Sequence, residues 1–278
     1  MRLVGAALIA AVLSVSATAA SAHLRTNRFD SAGAMRWTKI QLAYGPRPAG
    51  SPASQALAQR LRAALPAGRF ESVPGGLRNV IGEVPGRDRT DIVVVGAHYD
   101  TKDIPGFVGA NDGAAGTAAV LELARHLRPR ELRATIVFVL FDGEESPDDT
   151  PDSEFEQKGL RGSKVAARAY SDARAMILLD FIGLRDVRIQ REESSDPALW
   201  QLLRAAARRV GAEAAFPTGI GPEILDDHTP FERLDVPAVD LIDFNYPCFH
   251  KPCDDLSHVS EQSLNEVGET VRDLLPRL

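Results

Sequence analysis

Histidine and carboxylate residues follow four apolar segments of strand length in this sequence. They are His98 and Asp100 after 92–95, Glu144 and Glu145 after 136–141, Asp180 after 176–179, and His250 in the loop after 239–242. Imidazole nitrogens and carboxylate oxygens are ligands of zinc in catalytic sites, where one position stays open for water or substrate. The sequence therefore predicts a divalent-metal site, with zinc as the ion, assembled from several separate segments.

Asp112 is a further candidate ligand and lies in a glycine-rich loop before a predicted helix. The loop, Gly109–Gly116, matches neither the G-x-G-x-x-G nor the P-loop spacing, which argues against the alternative of a phosphate-binding turn. The carboxylate of Asp112 instead adds an oxygen donor to the predicted metal site.

Glu144 and Glu145 are adjacent, so their side chains leave the backbone in different directions. One can bind metal while the other faces the substrate as a general acid/base. A solvated acidic turn is the alternative, since three aspartates follow between 148 and 152. The position at the end of a buried strand favours catalysis. In the same way, His98 and Asp100 are typical of a metal ligand with a carboxylate that orients its ring.

Other catalytic classes find little support. The sequence contains no G-x-S-x-G and no H-E-x-x-H motif, and its Cys–His proximity is confined to the loop between Cys248 and Cys253. These two cysteines can form a disulfide around His250 in an oxidising compartment, with free thiols or soft metal ligands as alternatives. A formal net charge of −6 and the absence of a basic stripe argue against nucleic acid as a partner.

Alternating strands and helices must position these side chains. The strands are apolar without polar alternation, and the helices between them are amphipathic, which indicates a mostly parallel sheet covered on both faces. The predicted helices begin at Asp30 or Ser31, at Ser51 with Pro52, at Gly116, at Asp196 with Pro197, and before Leu264. We predict an α/β fold, a three-layer α/β/α sandwich with a mostly parallel but mixed central sheet. Its ligand site belongs at the carboxyl ends of the strands.

The first 22 residues have the pattern of a secretory signal peptide. Arg2 precedes the apolar run Leu3–Val15, and Ala20-Ser21-Ala22 provides the cleavage site. An uncleaved anchor is the alternative, but the run is shorter than the ~20 residues that span a bilayer. We expect an exported protein, periplasmic or extracellular, with one domain over 23–278 and no stable membrane span after cleavage.

Several ordered motifs resemble those of the M28 zinc-peptidase clan. They are GAHYD at 96–100, GAND at 109–112, EE at 144–145, GLRGS at 159–163 and DDHTPF at 226–231. The likeness extends from 45–51 to 254–255, nearly the whole mature chain. The clan includes aminopeptidases with two zincs and glutaminyl cyclases with one. The resemblance therefore implies a zinc aminopeptidase-like fold and an enzyme that acts on peptide or protein N-termini.

Within the clan, three segments look more like glutaminyl-peptide cyclotransferases, whereas the loop 111–116 is closer to the aminopeptidases. The three segments are 141–145, 178–183 and 224–228. Where animal cyclases place Trp before the ligand histidine, this chain has Phe249, and no Trp follows Glu145. The resemblance favours a cyclase that converts N-terminal glutamine into pyroglutamate.

The resemblance also implies roles for individual residues. In a cyclase, Asp112, Glu145 and His250 would hold one zinc and Glu144 would be the acid/base. Asp180 and Asp226 would form a hydrogen-bonded carboxylate pair near Glu144, and Asp100, His228 and Phe249 would surround the metal site or the substrate pocket. The second hypothesis is a dinuclear aminopeptidase in which His98 and Asp180 hold a second zinc and Asp112 bridges. The third is a non-catalytic exported binding module.

Overall fold

Six β-strands form one mixed sheet, in the order β1-β2-β4-β3-β5-β6. The computed structural model describes residues 24–147 and 150–278, so the predicted signal peptide lies outside the described residues. The strands are β1 Arg69–Val73, β2 Leu77–Val84, β3 Asp88–His98, β4 Ala134–Phe141, β5 Ala175–Leu179 and β6 Ala238–Leu241. Strands β4, β3, β5 and β6 are parallel to one another. Strand β2 pairs antiparallel with β4, and β1 pairs antiparallel with β2 at the edge of the sheet.

Helices pack on both faces of the sheet. They are α1 Ser31–Leu42, α2 Pro52–Ala64, α3 Gly116–His126, α4 Phe155–Lys158, α5 Arg161–Ala169, α6 Pro197–Val210, α7 Thr229–Glu232 and α8 Glu261–Leu274. Two predicted starts are confirmed in detail, because the side chain of Ser51 caps α2 and that of Asp196 caps α6. Gly211, with a φ of 88°, ends α6 in the left-handed conformation that glycine favours.

Successive residues of the central strands belong alternately to two separate hydrophobic cores, one on each face of the sheet. In β3, Val93 and Val95 belong to a large core with helices α1, α2, α3, α6 and α8, whereas Val94 belongs to a smaller core with α5 and α7. This alternation explains why the strands are apolar throughout, since both of their faces are buried. The predicted three-layer α/β fold with a mostly parallel, mixed sheet is confirmed.

Two local features of the structure were not predicted from the sequence. Strand β1 has a half-exposed, polar sequence at the sheet edge and carries no strong strand signal. In α1, the buried residues are Gly33, Ala34, Thr38 and Gln41, whereas Trp37, and Tyr44 just after the helix, are only partly buried against the large core. The side chain of Thr38 hydrogen-bonds within the helix, so that a small polar residue can occupy the inner face.

The order of the parallel strands reverses next to β3, which makes this position a topological switch point of the sheet. From β3 the chain crosses to β4 on one side, and from β4 it returns to β5 on the other side of β3. A crevice forms at the carboxyl ends of strands at such a switch point. Within the described ranges, no helix is both long and apolar enough to cross a membrane.

Candidate metal and active site

Asp112, Glu145 and His250 converge at the carboxyl edge of the sheet. His250 Nε2 lies 3.1 Å from Glu145 Oε1 and 3.7 Å from Asp112 Oδ2. Each residue offers one donor atom, and the three atoms lie within 4.8 Å of one another. Residues that are 138 positions apart at most (250 minus 112) therefore meet at one point of the fold.

The donor set fits a zinc ion. Ligands at ~2.0–2.2 Å in a tetrahedron stand about 3.3–3.6 Å apart, close to the separations seen here. Asp112 Oδ2 is buried and has no hydrogen-bond partner among the residues that the structure describes. A buried carboxylate oxygen without a partner is costly, and a bound cation would satisfy it.

A second group shares Asp112 with the first. His98 Nε2 lies 3.3 Å from Asp112 Oδ1 and 3.5 Å from Asp180 Oδ1, so these three residues could also hold a metal ion. Burial lowers the pKa of the His98 imidazole, but the surrounding carboxylates raise it well above its ordinary value. Gly113 has a φ of 84°, and a Cβ there would lie 2.9 Å from the His98 ring, so glycine is required for this close approach.

Asp100 acts differently from the sequence expectation. Its Oδ1 stands 3.8 Å from His98 Nδ1, too far for a hydrogen bond that orients the ring. Its two oxygens instead accept the backbone N–H groups of Glu144 and Glu145, each at 3.3 Å. Asp100 thus holds the acidic turn that follows β4.

Glu144 lies beside the first group and is 8 % exposed. Burial and the negative charge of Glu145 raise the pKa of the Glu144 carboxyl well above its ordinary value. Asp226 and Asp227 add to this increase from across the site. A carboxyl with a raised pKa holds a proton more readily than an exposed glutamate, which suits a general acid/base.

Asp180 and Asp226 are both buried at the same edge. Burial raises the pKa of the Asp180 carboxyl to about 7, opposed by His98 and reinforced by the charge of Asp226. We find no hydrogen bond that joins the two carboxyls, and Asp226 Oδ2 is unpartnered within the described parts of the chain. Both carboxyls are therefore buried at this edge, but the predicted hydrogen bond between them is not found among the described residues.

His228 lies behind the site and not on its surface. It is fully buried, with Nε2 3.4 Å from Glu192 Oε2 and Nδ1 3.9 Å from Asp240 Oδ2. The Ser194 hydroxyl donates a hydrogen bond to Glu192 Oε2, with 3.0 Å between the two oxygens. The imidazole thus links the segment after β5 to the start of α7.

Aromatic rings and a disulfide surround His250. The Phe249 ring stacks on the His250 ring, with centroids 3.9 Å apart, and contacts Phe181 and Phe244 on its other sides. Cys248 and Cys253 form the expected disulfide, which closes the loop that carries His250. Phe249 is 37 % exposed and so forms an apolar wall at the opening of the site.

The model of peptidase family M28 matches residues 79–275, which include all of the site residues named above. The chain belongs to peptidase family M28.

Similar proteins include an aminopeptidase and glutaminyl cyclases. Aminopeptidase YwaD of Bacillus subtilis is 26% identical over 78% of this chain and 48% of its own length. The glutaminyl-peptide cyclotransferase of Drosophila melanogaster is 28% identical over 65% of this chain and 59% of its own. The structure of an Acidobacteriales bacterium glutaminyl cyclase superposes with a TM-score of 0.78 and 29% identity, over 93% of this chain and 98% of that one. The chain spans about half the length of the curated relatives.

Three buried residues of this M28 chain were not assigned a role from the sequence. Arg47 and Asp254 hydrogen-bond to the loop that carries Asp112, and Asp227 lies fully buried beside Asp226. Arg47 and Asp254 do stand within segments at the two ends of the M28 likeness. A charged residue in each of these segments was the signal that could have drawn attention to Arg47 and Asp254. Their hydrogen bonds to the Asp112 loop depend on tertiary structure and could not be inferred from the sequence.

Proposed function

We propose that this chain is a zinc-dependent glutaminyl-peptide cyclotransferase, which converts the N-terminal glutamine of a peptide or protein into pyroglutamate and releases ammonia. The observation that carries the proposal is the convergence of Asp112, Glu145 and His250 beside the buried Glu144. The likeness to glutaminyl cyclases over almost the full described chain supports it.

Asp112, Glu145 and His250 would hold one zinc ion. When bound, the ion supplies Lewis acidity toward the γ-carbonyl of the substrate glutamine. Phe249 and Phe244, both partly exposed, provide an apolar wall against which the substrate can be oriented. The shape of this wall would determine which N-terminal residue fits.

Glu144 would move the proton. Its carboxylate accepts a proton from the α-amine, whose nitrogen then forms a bond to the γ-carbonyl carbon of the same residue. The bond from that carbon to the amide nitrogen breaks, and Glu144 returns the proton to the departing ammonia. The pKa of Glu144 is raised by burial and by the charge of Glu145, which suits a group that must return the proton it has accepted.

Asp180 and Asp226 are candidates for a proton-holding pair, because both are buried at the same edge of the sheet. Besides burial, the charge of Asp226 contributes to the raised pKa of the Asp180 carboxyl, and neighbouring carboxyls resist joint ionisation. We therefore place Asp180 and Asp226 in a proton-holding pair near Glu144.

A dinuclear aminopeptidase is the second candidate function. The specific observation in its favour is the group His98, Asp112 and Asp180, whose spacing is similar to that of the first group. In that case Asp112 would bridge two ions and Glu144 would take a proton from the attacking water. Relatives such as aminopeptidase YwaD support this alternative.

Product analysis separates the candidates. The purified mature chain, supplied with zinc, is incubated with a Gln-initiated peptide and with a Leu-initiated peptide of otherwise identical sequence. Mass spectrometry should find loss of one ammonia from the first peptide and no change in the second. Release of the free N-terminal residue from either peptide would favour the aminopeptidase, and no reaction with either would favour a binding module.

We further propose that the protein is exported. The disulfide Cys248–Cys253 supports this, since such bonds persist in oxidising compartments. Fractionation of the producing cells, with detection of the mature N-terminus near residue 23, tests both export and cleavage. An uncleaved chain in the cytosol would refute the proposal.

A further inference from the structure

The segment Val108–Asp112 carries a proposed zinc ligand and enters a single π-helical turn, Ala110–Ala115, that is interrupted by non-helical backbone angles at Asp112 and Gly113. Gly109 and Gly113 have φ angles of 54° and 84°, and Asp112 itself has a non-helical φ of −84° and ψ of 99°. Buried backbone N–H and C=O groups need hydrogen-bond partners, and here a helix or a strand does not provide them all. The position of Asp112 therefore depends on groups outside the segment.

Arg47 binds the first part of the segment. Its guanidinium is fully buried and donates to Val108 O at 2.5 Å and to Gly109 O at 3.1 Å. Its Nε donates to Tyr99 O at 2.9 Å, just beyond β3. One planar cation thus joins the end of β3 to the beginning of the segment.

Asp254 binds the second part. Its Oδ1 and Oδ2 accept the backbone N–H groups of Asn111 at 2.8 Å and Asp112 at 3.1 Å, and its own carbonyl accepts Ala110 N–H at 3.3 Å. Tyr246 Oη donates to the same carboxylate at 2.6 Å. The anion therefore contacts the backbone of the residue whose side chain would bind zinc.

The two charges match the polarity of the backbone that they contact. The cation meets carbonyl oxygens and the anion meets N–H groups, as hydrogen bonds to charged groups require. Both residues are buried in the described structure, where an unpaired charge is strongly unfavourable. Each charge is thus tied to a defined arrangement of the segment.

We propose that Arg47 and Asp254 form a two-sided clamp that positions Asp112 for zinc. This inference rests on the proposed role of Asp112 as a zinc ligand. Neither clamp residue touches the substrate or the reacting atoms in this scheme, so both are positioning residues. Partners of this kind, which orient a metal ligand, typically contribute about 10–100-fold to metal affinity.

Asp254→Asn is the main test, because it keeps the shape but replaces one acceptor oxygen with a donor. Asp255→Asn is the matched control, since the Asp255 side chain is exposed and hydrogen-bonds to the neighbouring turn at 257–258. Zinc affinity is measured by chelator competition, and the absorption spectrum of the cobalt-substituted protein reports ligand geometry. We expect Asp254→Asn to weaken zinc binding about 10–100-fold and to alter the cobalt spectrum. The control should match the wild type in both.

Two further variants keep the test decisive if Asp254→Asn does not fold. Tyr246→Phe removes only the hydroxyl that donates to Asp254, and Arg47→Lys keeps the charge but loses the planar fork. Both should weaken zinc binding in the same direction, at temperatures well below their melting points. Wild-type affinity and spectrum in all folded variants would overturn the clamp. A wild-type chain that binds no zinc would instead overturn the proposed function, and the clamp with it.

Discussion

The carboxylate of Asp100 accepts a hydrogen bond from the backbone N–H of Glu144, with 3.3 Å between the two atoms. The second oxygen of Asp100 accepts the N–H of the next residue, Glu145. One fully buried side chain therefore fixes the backbone of both the proposed acid/base and a proposed zinc ligand.

Asp100→Asn should lower turnover about 10–100-fold. The amide nitrogen of asparagine cannot accept a hydrogen bond, so one of the two backbone N–H groups loses its partner. Steady-state kinetics on a Gln-initiated peptide measures the effect. Asp103→Asn, at an exposed position of the same loop, is the control and should behave as wild type. Unchanged turnover in Asp100→Asn would show that Asp100 does not position Glu144.

Glu144→Gln should abolish proton transfer while leaving the metal in place. General acid/base groups contribute about 10²–10⁴-fold, and we expect kcat to fall within this range. Zinc content, measured on the same sample, should equal that of the wild type because Glu144 is not among the three proposed ligands. Glu156→Gln, at an exposed surface position, is the control. Substantial activity in Glu144→Gln would exclude it as the acid/base.

Removal of the disulfide should weaken zinc binding through His250. His250 has a φ of 49°, an uncommon backbone conformation for a residue with a side chain, and lies between the two bonded cysteines. The double variant Cys248→Ser with Cys253→Ser should lose about 2 kcal/mol of stability and bind zinc less tightly. Calorimetry and chelator competition measure the two effects. Wild-type protein treated with a reductant should behave like the double variant; wild-type zinc affinity in both would contradict this account.

The pair formed by Glu192 and His228 should stabilise the fold most between pH 4.5 and 6.5. Burial raises the pKa of the Glu192 carboxyl, but His228 and nearby N–H groups lower it from 4.5 to about 2. Its stabilising contribution is therefore present above pH 4.5 and lost as the pH falls toward 2. Burial lowers the pKa of His228, but Glu192 and other acids raise it above 6.5, so that contribution is present below pH 6.5 and lost at higher pH.

Glu192→Gln should therefore reduce the free energy of unfolding by about 3 kcal/mol inside this window. Urea unfolding at pH 5.5 and at pH 3 measures the difference from wild type, which should shrink at the lower pH. Glu193→Gln, at the neighbouring exposed position, should differ little from wild type at either pH. A difference that stays constant between the two pH values would show that ionisation of Glu192 does not stabilise the fold.

The fold could be predicted in outline because its strongest signals are local. Continuous apolar runs such as Ile136–Phe141 fix the buried strands, and caps such as Ser51 and Asp196 fix where helices begin. Strand β1 gave no such signal, because an edge strand with one exposed side needs no apolar sequence. Its pairing with β2 depends on tertiary contact.

The site was predictable in part from the strands. His98, Glu145, Asp180 and His250 were expected at one edge because the carboxyl ends of parallel strands meet there, whereas the set Asp112, Glu145 and His250 was implied by the resemblance to the M28 clan. The contacts of Asp100 with Glu144 and of Arg47 with the Asp112 loop could not be inferred. They depend on the distance and direction of side chains across the fold, which spacing in the sequence does not contain.

Anomalous diffraction at the zinc absorption edge, from crystals of the mature chain, tests the central claim most directly. We predict one strong peak within bonding distance of Asp112, Glu145 and His250, and no second peak of comparable height between His98 and Asp180. Two equal peaks that share Asp112 would favour the aminopeptidase. A protein saturated with zinc that places no peak beside Asp112, Glu145 and His250 would contradict the account.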